Sequence, residues 1–264
     1  EYIYNLHNTI YLYLFQFPYR KIVIIQSYLF FHVTPFTRYI ILYRNTVLLY
    51  YVQNLNKLWI TIKKISLLMN SKISLKGKNI LITGVGKGIG YNILNDFVNR
   101  GAFIYGLTRS KTDLKKIGTG KKFKVFLGDV RDVRKIEKIF NIAKKDKRLI
   151  NGLVNNAGIR QRKKFESIKK KEINEIFDIN FFSIFRIMQT YFKYLRKHKI
   201  KASIVNIGSI VGNNGFDSLV GYASTKGALK SLTQSFAVEK AKYKIRANLI
   251  NPGFVKTSYY EKFK

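Results

Sequence analysis

From Met69 onward, short apolar runs alternate with amphipathic stretches, a rhythm that predicts β-α-β units around a parallel sheet. Residues 79–83 (Asn-Ile-Leu-Ile-Thr) read as a buried first strand, and a glycine-rich turn and a helix over 89–100 follow, with Gly101 as its stop. Residues 103–107 and 124–127 read as the second and third strands, and Asp132 caps a helix that runs to Lys145. Residues 149–155 form a fourth strand. Helical periodicity then covers 171–197, with Ile173, Ile176, Phe177, Ile184 and Ile187 at apolar positions. A fifth strand over 203–207, a long helix over 222–242 and a sixth strand over 246–250 complete the pattern.

Residues 1–68 have another character. They are crowded with Tyr, Leu, Ile and Phe and show no sustained period of 2 or 3.6. The apolar runs 22–33 and 39–52 are short or interrupted by Arg44, below the roughly 20 residues a spanning helix needs. No charged start with a small-residue cleavage site marks a secretory signal. The favoured reading of 1–68 is translated upstream sequence, a non-native or poorly ordered extension with Met69 as the natural start; a membrane anchor and an accessory domain are the alternatives. Residues 69–264 are then the functional domain.

The formal net charge of +35 invites a nucleic-acid reading. The positive charge is spread along the whole chain, however, and Lys, Asn, Ile, Tyr and Phe are abundant together, the imprint of an AT-rich genome. No specific nucleic-acid partner is therefore expected, although unspecific attraction to anionic cofactors, acyl carriers or RNA is physically reasonable. The chain has no cysteine, which excludes disulfides, thiol nucleophiles and Cys-ligated zinc and fits a reducing, cytoplasmic compartment. With only His7, His32 and His198, a Ser-His-Asp hydrolase or a metal centre has little to be built from. Ser209 is not in a G-x-S-x-G elbow either, because Ile207 takes the first glycine position.

Positive indications begin at Thr83-Gly-Val-Gly-Lys-Gly-Ile-Gly90, where glycines let the backbone approach a pyrophosphate at a helix N-terminus. Strict G-x-G-x-x-G fails in either frame, at Ile89 or at Tyr91; T-G-x-x-x-G-x-G fits through Gly84, Gly88 and Gly90. Lys87 is not followed by the Ser or Thr of a Walker A loop. After the second strand, Thr108 and Arg109 stand where a ribose-binding acid would mark NAD. Arg109 and Lys87 are placed to bracket a 2′-phosphate, which favours NADP(H) over NAD(H); the alternative is that both are ordinary surface cations of a very basic chain. Farther on, Tyr222 and Lys226 share a helix face one turn apart, with Ser209 thirteen positions upstream of the tyrosine. A fixed cation beside a phenol favours the phenolate, and a nearby serine can hydrogen-bond the oxygen that exchanges the proton. Alone, such a pair is a common surface coincidence.

With Asn155-Asn-Ala-Gly158 added between the turn and the Ser209/Tyr222/Lys226 set, the ordered motifs resemble the short-chain dehydrogenase/reductase family over residues 75–257. The resemblance implies a Rossmann-type, doubly wound α/β fold with NAD(P) across the carboxyl edge of the sheet. It assigns Gly84, Gly88 and Gly90, with Lys87 and Ile89 between them, to the pyrophosphate turn. Asp129 becomes the adenine contact, and the segment Asn155 to Gly158, with Asn155, Ala157 and Gly158 as its named site residues, supports the central strand and lines the cofactor. Asn180 anchors a water near the catalytic lysine. Ser209, Tyr222 and Lys226 are the catalytic trio, Lys226 also holding the nicotinamide ribose, and Pro252, Gly253 and Thr257 embrace the nicotinamide.

Two departures stand out: Gly208 replaces a serine that often precedes the catalytic one, and the chain stops seven residues after Thr257. The expectation is a C-terminally incomplete domain, lacking a substrate-covering loop and a seventh strand, with the sixth strand as a bare edge. The implied activity is hydride exchange between NADP(H) and a carbonyl or secondary alcohol, with Tyr222 as general acid/base. Its substrate would be a small molecule or acyl thioester, as in similar 3-oxoacyl-acyl-carrier-protein reductases and sugar or polyol reductases. Homotetramers through the two long helices are implied too. The rival from another class is a non-catalytic NADP-binding or RNA-associating protein.

Overall fold

The computed structural model describes the backbone of five strands within residues 12–51 and, with side chains, residues 73–118, 120–255 and 257. The chain divides into two compact units, Glu1–Ile73 and Ser74–Lys264. In the first, β1 (Leu12–Phe17), β2 (Arg20–Ile25), β3 (Tyr28–Val33), β4 (Arg38–Tyr43) and β5 (Thr46–Tyr51) pair antiparallel in sequence order. The pattern reading found none of these strands, because continuous apolar runs carry no alternation for a period-2 test. Met69, and with it the expected start of the functional domain, lies outside the described residues.

In the second unit the order is β6 (Asn79–Thr83), α1 (Gly88–Asn99), β7 (Phe103–Thr108), α2 (Lys111–Ile117), β8 (Phe123–Leu127), α3 (Val133–Lys145) and β9 (Gly152–Asn155). After these come α4 (Lys170–Phe177), α5 (Ser183–His198), β10 (Ala202–Ile207), α6 (Val220–Lys240) and β11 (Ile245–Ile250). All six strands are parallel, ordered β8-β7-β6-β9-β10-β11. The parallel sheet is the one the sequence pattern predicts, and its doubly wound order is the one the family resemblance implies.

Strand residues alternate between two cores. Leu81, Leu153 and Ile204 pack with Ile136, Ile139, Ile187 and Leu229, while Ile80, Ile82 and Ile104 pack with Leu94 on the other face. Helices cover both faces, so the strands are apolar throughout. Strand order reverses between β6 and β9, and ligands of such sheets bind beyond the carboxyl ends at that switch point.

Two differences from the pattern reading matter. Helix α2, with seven residues, is too short for a periodicity window, yet it is capped by Ser110 Oγ, which accepts from Asp113 N–H. The predicted helix over 171–197 is continuous but carries a π-turn at Asp178–Phe182, which hydrophobic period alone does not reveal. Among the described residues, β11 pairs with β10 alone.

Candidate active site

A cavity of about 870 Å³ opens along the carboxyl ends of the strands. Its floor begins at the glycine turn between β6 and α1. Gly84 has φ +72, and a β-carbon there would come within 2.8 Å of Ala157 Cα; one on Gly90 would lie 2.1 Å from Gly84 O. Gly88 also takes a left-handed φ of +56, with Thr257 Cγ2 3.5 Å from where its β-carbon would be. The turn is therefore closed by close backbone packing, which no side chain at Gly84 or Gly90 would permit. A strand-turn-helix of this shape fits a dinucleotide pyrophosphate.

Asn156, part of the expected Asn155–Gly158 segment but not singled out there, holds the turn in place. Its side-chain amide donates to Thr83 O and Gly84 O, both at 3.0 Å. In the other direction, Thr83 Oγ1 accepts from the backbone N–H groups of Asn156 and Ala157, both at 3.1 Å. The second asparagine of Asn155-Asn-Ala-Gly158 was the available signal. Asp113 is an unforeseen wall residue. Its Oδ2 would lie 2.4 Å from a β-carbon on Gly86, so a carboxylate stands at the same end of the cavity as Lys87 and Arg109. It comes from α2, the helix that the pattern did not predict.

Most expected residues do line the cavity: Gly84, Lys87, Gly88, Ile89, Arg109, Asp129, Ala157, Gly158, Ser209, Tyr222, Lys226, Pro252, Gly253 and Thr257. Gly90, Asn155 and Asn180 do not. Gly90 packs under the turn. Asn155 faces the core, its Nδ2 donating to Asn206 Oδ1 at 2.8 Å, and Asn206 in turn donates to Thr233 Oγ1 at 2.8 Å. Asn155 thus ties β9 to β10 and α6 from behind the wall, because strand alternation turns it inward while Asn156 faces out. The Asp129 carboxylate is occupied by Arg131, with Nε and Nη2 each at 2.9 Å, and these bonds hold it below the usual carboxylate range.

The chemical end is built on β10 and α6. Lys226, 5 % exposed, donates from Nζ to Ile207 O at 2.7 Å and lies 5.7 Å from the centre of the Tyr222 ring. Burial lowers its pKa to about 8. Ser209 is held by its backbone N–H, which donates to Asn251 Oδ1 at 3.1 Å. A β-carbon at Gly208 would meet that same oxygen at 2.2 Å, so the glycine found in place of a serine makes room for the Asn251 contact. Asn180, fully buried by the π-turn, accepts from Ile159 N–H and donates to Ile159 O, both at 2.8 Å. Its Oδ1 and Lys226 Nζ lie 3.1 and 4.0 Å from the position of a β-carbon on Gly158, so the missing side chain leaves the space between them open.

The sequence profile of the short chain dehydrogenase family matches residues 78–264. The 5-keto-D-gluconate 5-reductase of Escherichia coli K12 is 34% identical over 194 residues, covering 72% of this chain and 76% of that protein. A solved structure of ElxO with NADP bound has 33% identity and a TM-score of 0.65, covering 70% of this chain and 77% of that one. The 3-ketoacyl-(acyl-carrier-protein) reductase from Brucella melitensis, solved with NADH, has 26% identity and a TM-score of 0.67, covering 70% and 79%.

Proposed function

Because the chain belongs to the short-chain dehydrogenase family, we propose that this oxidoreductase is an NADP(H)-dependent reductase that interconverts a carbonyl and a secondary alcohol, with Tyr222 as general acid/base. The observation that carries the reading is Lys226, a nearly buried cation beside the Tyr222 ring in a cavity that Ser209 shares. When bound, the nicotinamide supplies or accepts the hydride. In the reductive direction, the Tyr222 hydroxyl gives its proton to the substrate oxygen, which Ser209 Oγ holds by a hydrogen bond. The Lys226 ammonium stabilises the phenolate left behind. The open space beside Gly158 admits a water between Lys226 Nζ and Asn180 Oδ1, a route by which Tyr222 regains its proton.

Preference for NADP(H) rests on Lys87 and Arg109, two exposed cations on the adenosine side, and on the NADP seen in ElxO. Asp113 opposes it with one negative charge. A 3-oxoacyl thioester or a sugar-type carbonyl fits the names of the relatives. Exposed Phe182 and Phe185 beside and on α5 support a homotetramer built through the long helices. Residues 69–264 are on this reading the dinucleotide-binding domain, acting in the cytoplasm, where no disulfide is required.

Tyr222→Phe tests the assignment. Proton transfer by a positioned side chain is worth about 10²–10⁴ in rate. The variant should lose about that much NADPH oxidation while NADPH fluorescence titration gives an unchanged Kd. Full turnover in the variant sinks the role of Tyr222. NADPH binding without turnover by the unaltered chain favours the non-catalytic rival.

A further inference from the structure

We propose that Asn251 is a positioning residue for Ser209, and that position 208 is glycine so that the Asn251 side chain can reach it; the proposal rests on the reductase reading above, in which Ser209 Oγ holds the substrate oxygen. The last residues paired between β10 and β11 are Ile207 and Ile250. Beyond them the two segments stay joined by three successive amides. Gly208 N–H donates to Ile250 O at 2.7 Å, and Ile210 N–H donates to Pro252 O at 3.2 Å. Between these two, Ser209 N–H has a side chain for its acceptor, Asn251 Oδ1 at 3.1 Å. The backbone that brings Ser209 to the cavity wall is thus fixed on both sides by main chain and at its centre by one side-chain amide. A displacement of about 1 Å at a reacting group can lower a rate on the order of 10²-fold, so that central bond bears on turnover.

Two further observations set Asn251 apart from an asparagine that serves stability alone. Its Nδ2 is buried and has no hydrogen-bond partner among the described residues. Such an atom disfavours folding, and the bond this side chain does make goes to Ser209. Gly208, for its part, is not one of the glycines with a left-handed φ, so its backbone would accept alanine. What excludes a side chain is packing: a β-carbon there would run into Asn251 Oδ1 and lie 3.1 Å from Leu249 Cδ1. Asn251 itself does not line the cavity, so it acts through Ser209 and not on the substrate. The two positions form one device, and a change at either should unseat the same serine.

The test uses Asn251→Ala, Gly208→Ala and the double variant, assayed by NADPH oxidation with an acetoacetyl thioester and with 5-keto-D-gluconate. Each single change should lower kcat tenfold or more while NADPH fluorescence titration gives an unchanged Kd. In the double variant the added carbon no longer meets Asn251 Oδ1, so its kcat should match that of Asn251→Ala instead of falling by the product of both losses. Hydrogen exchange read by NMR needs no turnover: the Ser209 amide should exchange at least tenfold faster in Asn251→Ala, with the Gly208 and Ile210 amides unchanged. Undiminished kcat in either single variant, or multiplied losses in the double variant, overturns the inference and leaves the reductase reading standing. If the unaltered chain turns over neither compound, the reductase reading fails and the exchange rates decide. Faster exchange confined to Ser209 then upholds Asn251 as its hold, and an unchanged rate overturns it.

Discussion

At Lys226 Nζ, burial brings the pKa from 10.5 down to about 8, and the sign of this shift makes an unusual stability profile. Below pH 8 both folded and unfolded chains hold the proton, so the fold bears the full cost of a buried cation. Between pH 8 and 10 the unfolded chain keeps a proton that the folded chain releases, so stability rises with pH. The gain from this residue across that window is roughly 2 kcal/mol. Denaturant titrations at pH 7.5 and 10 should show it, and Lys226→Met should abolish it; an unchanged rise in the variant would place its origin elsewhere. Above pH 10 the phenols of Tyr105 and Tyr191, pushed up by burial, act in the opposite direction. The identity of Lys226 was legible from its spacing to Tyr222, but its depth was not. Burial comes from β10 and α6 meeting, with Ile207 O as the partner.

Among elements, the β6–α1 turn is the most demanding. Gly84→Ala combines a left-handed φ with a β-carbon 2.8 Å from Ala157 Cα. It should destabilise the protein by about 1–3 kcal/mol and weaken NADPH binding more than tenfold by fluorescence titration. Gly77→Ala is the control, because Gly77 has φ +77 and nothing within 4 Å of the added carbon. That change should cost only about 1 kcal/mol and leave the Kd unchanged; equal effects of both variants on Kd would argue against a packed cradle. The glycines of this turn were readable because the motif is local. The π-turn at Asp178–Phe182 was not, since apolar positions before and after it keep helical spacing. Only its register places Asn180 inward, consistent with the frequency of such turns at functional sites. Helix α2 escaped for the opposite reason: it is too short to display a period, and with it went Asp113.

For the whole molecule, the cavity draws its walls from the turn after β6, from the ends of β7 through β10 and from the loop after β11. A ligand that touches all of them binds the folded chain and not the unfolded one. At 100 times its Kd, NADPH should therefore add about 2.7 kcal/mol of stability, seen as a rise in Tm by calorimetry, with a smaller rise for NADH at equal concentration. An equal or larger rise with NADH would overturn the cofactor preference. The order of the strands and the longer helices from β6 to β11 was determined by the sequence itself, because short apolar runs and period 3.6 are written in consecutive residues. So were the glycine turn after β6 and the candidate Ser209/Tyr222/Lys226 set, whose spacings are local or nearly so. What only the tertiary structure decided is which side chains face the cavity. Asn156 rather than Asn155 reaches it, and Asp113 arrives from an unpredicted helix. The physical reason is that orientation toward a shared space depends on contacts between residues far apart in the chain, and no window along the sequence contains them.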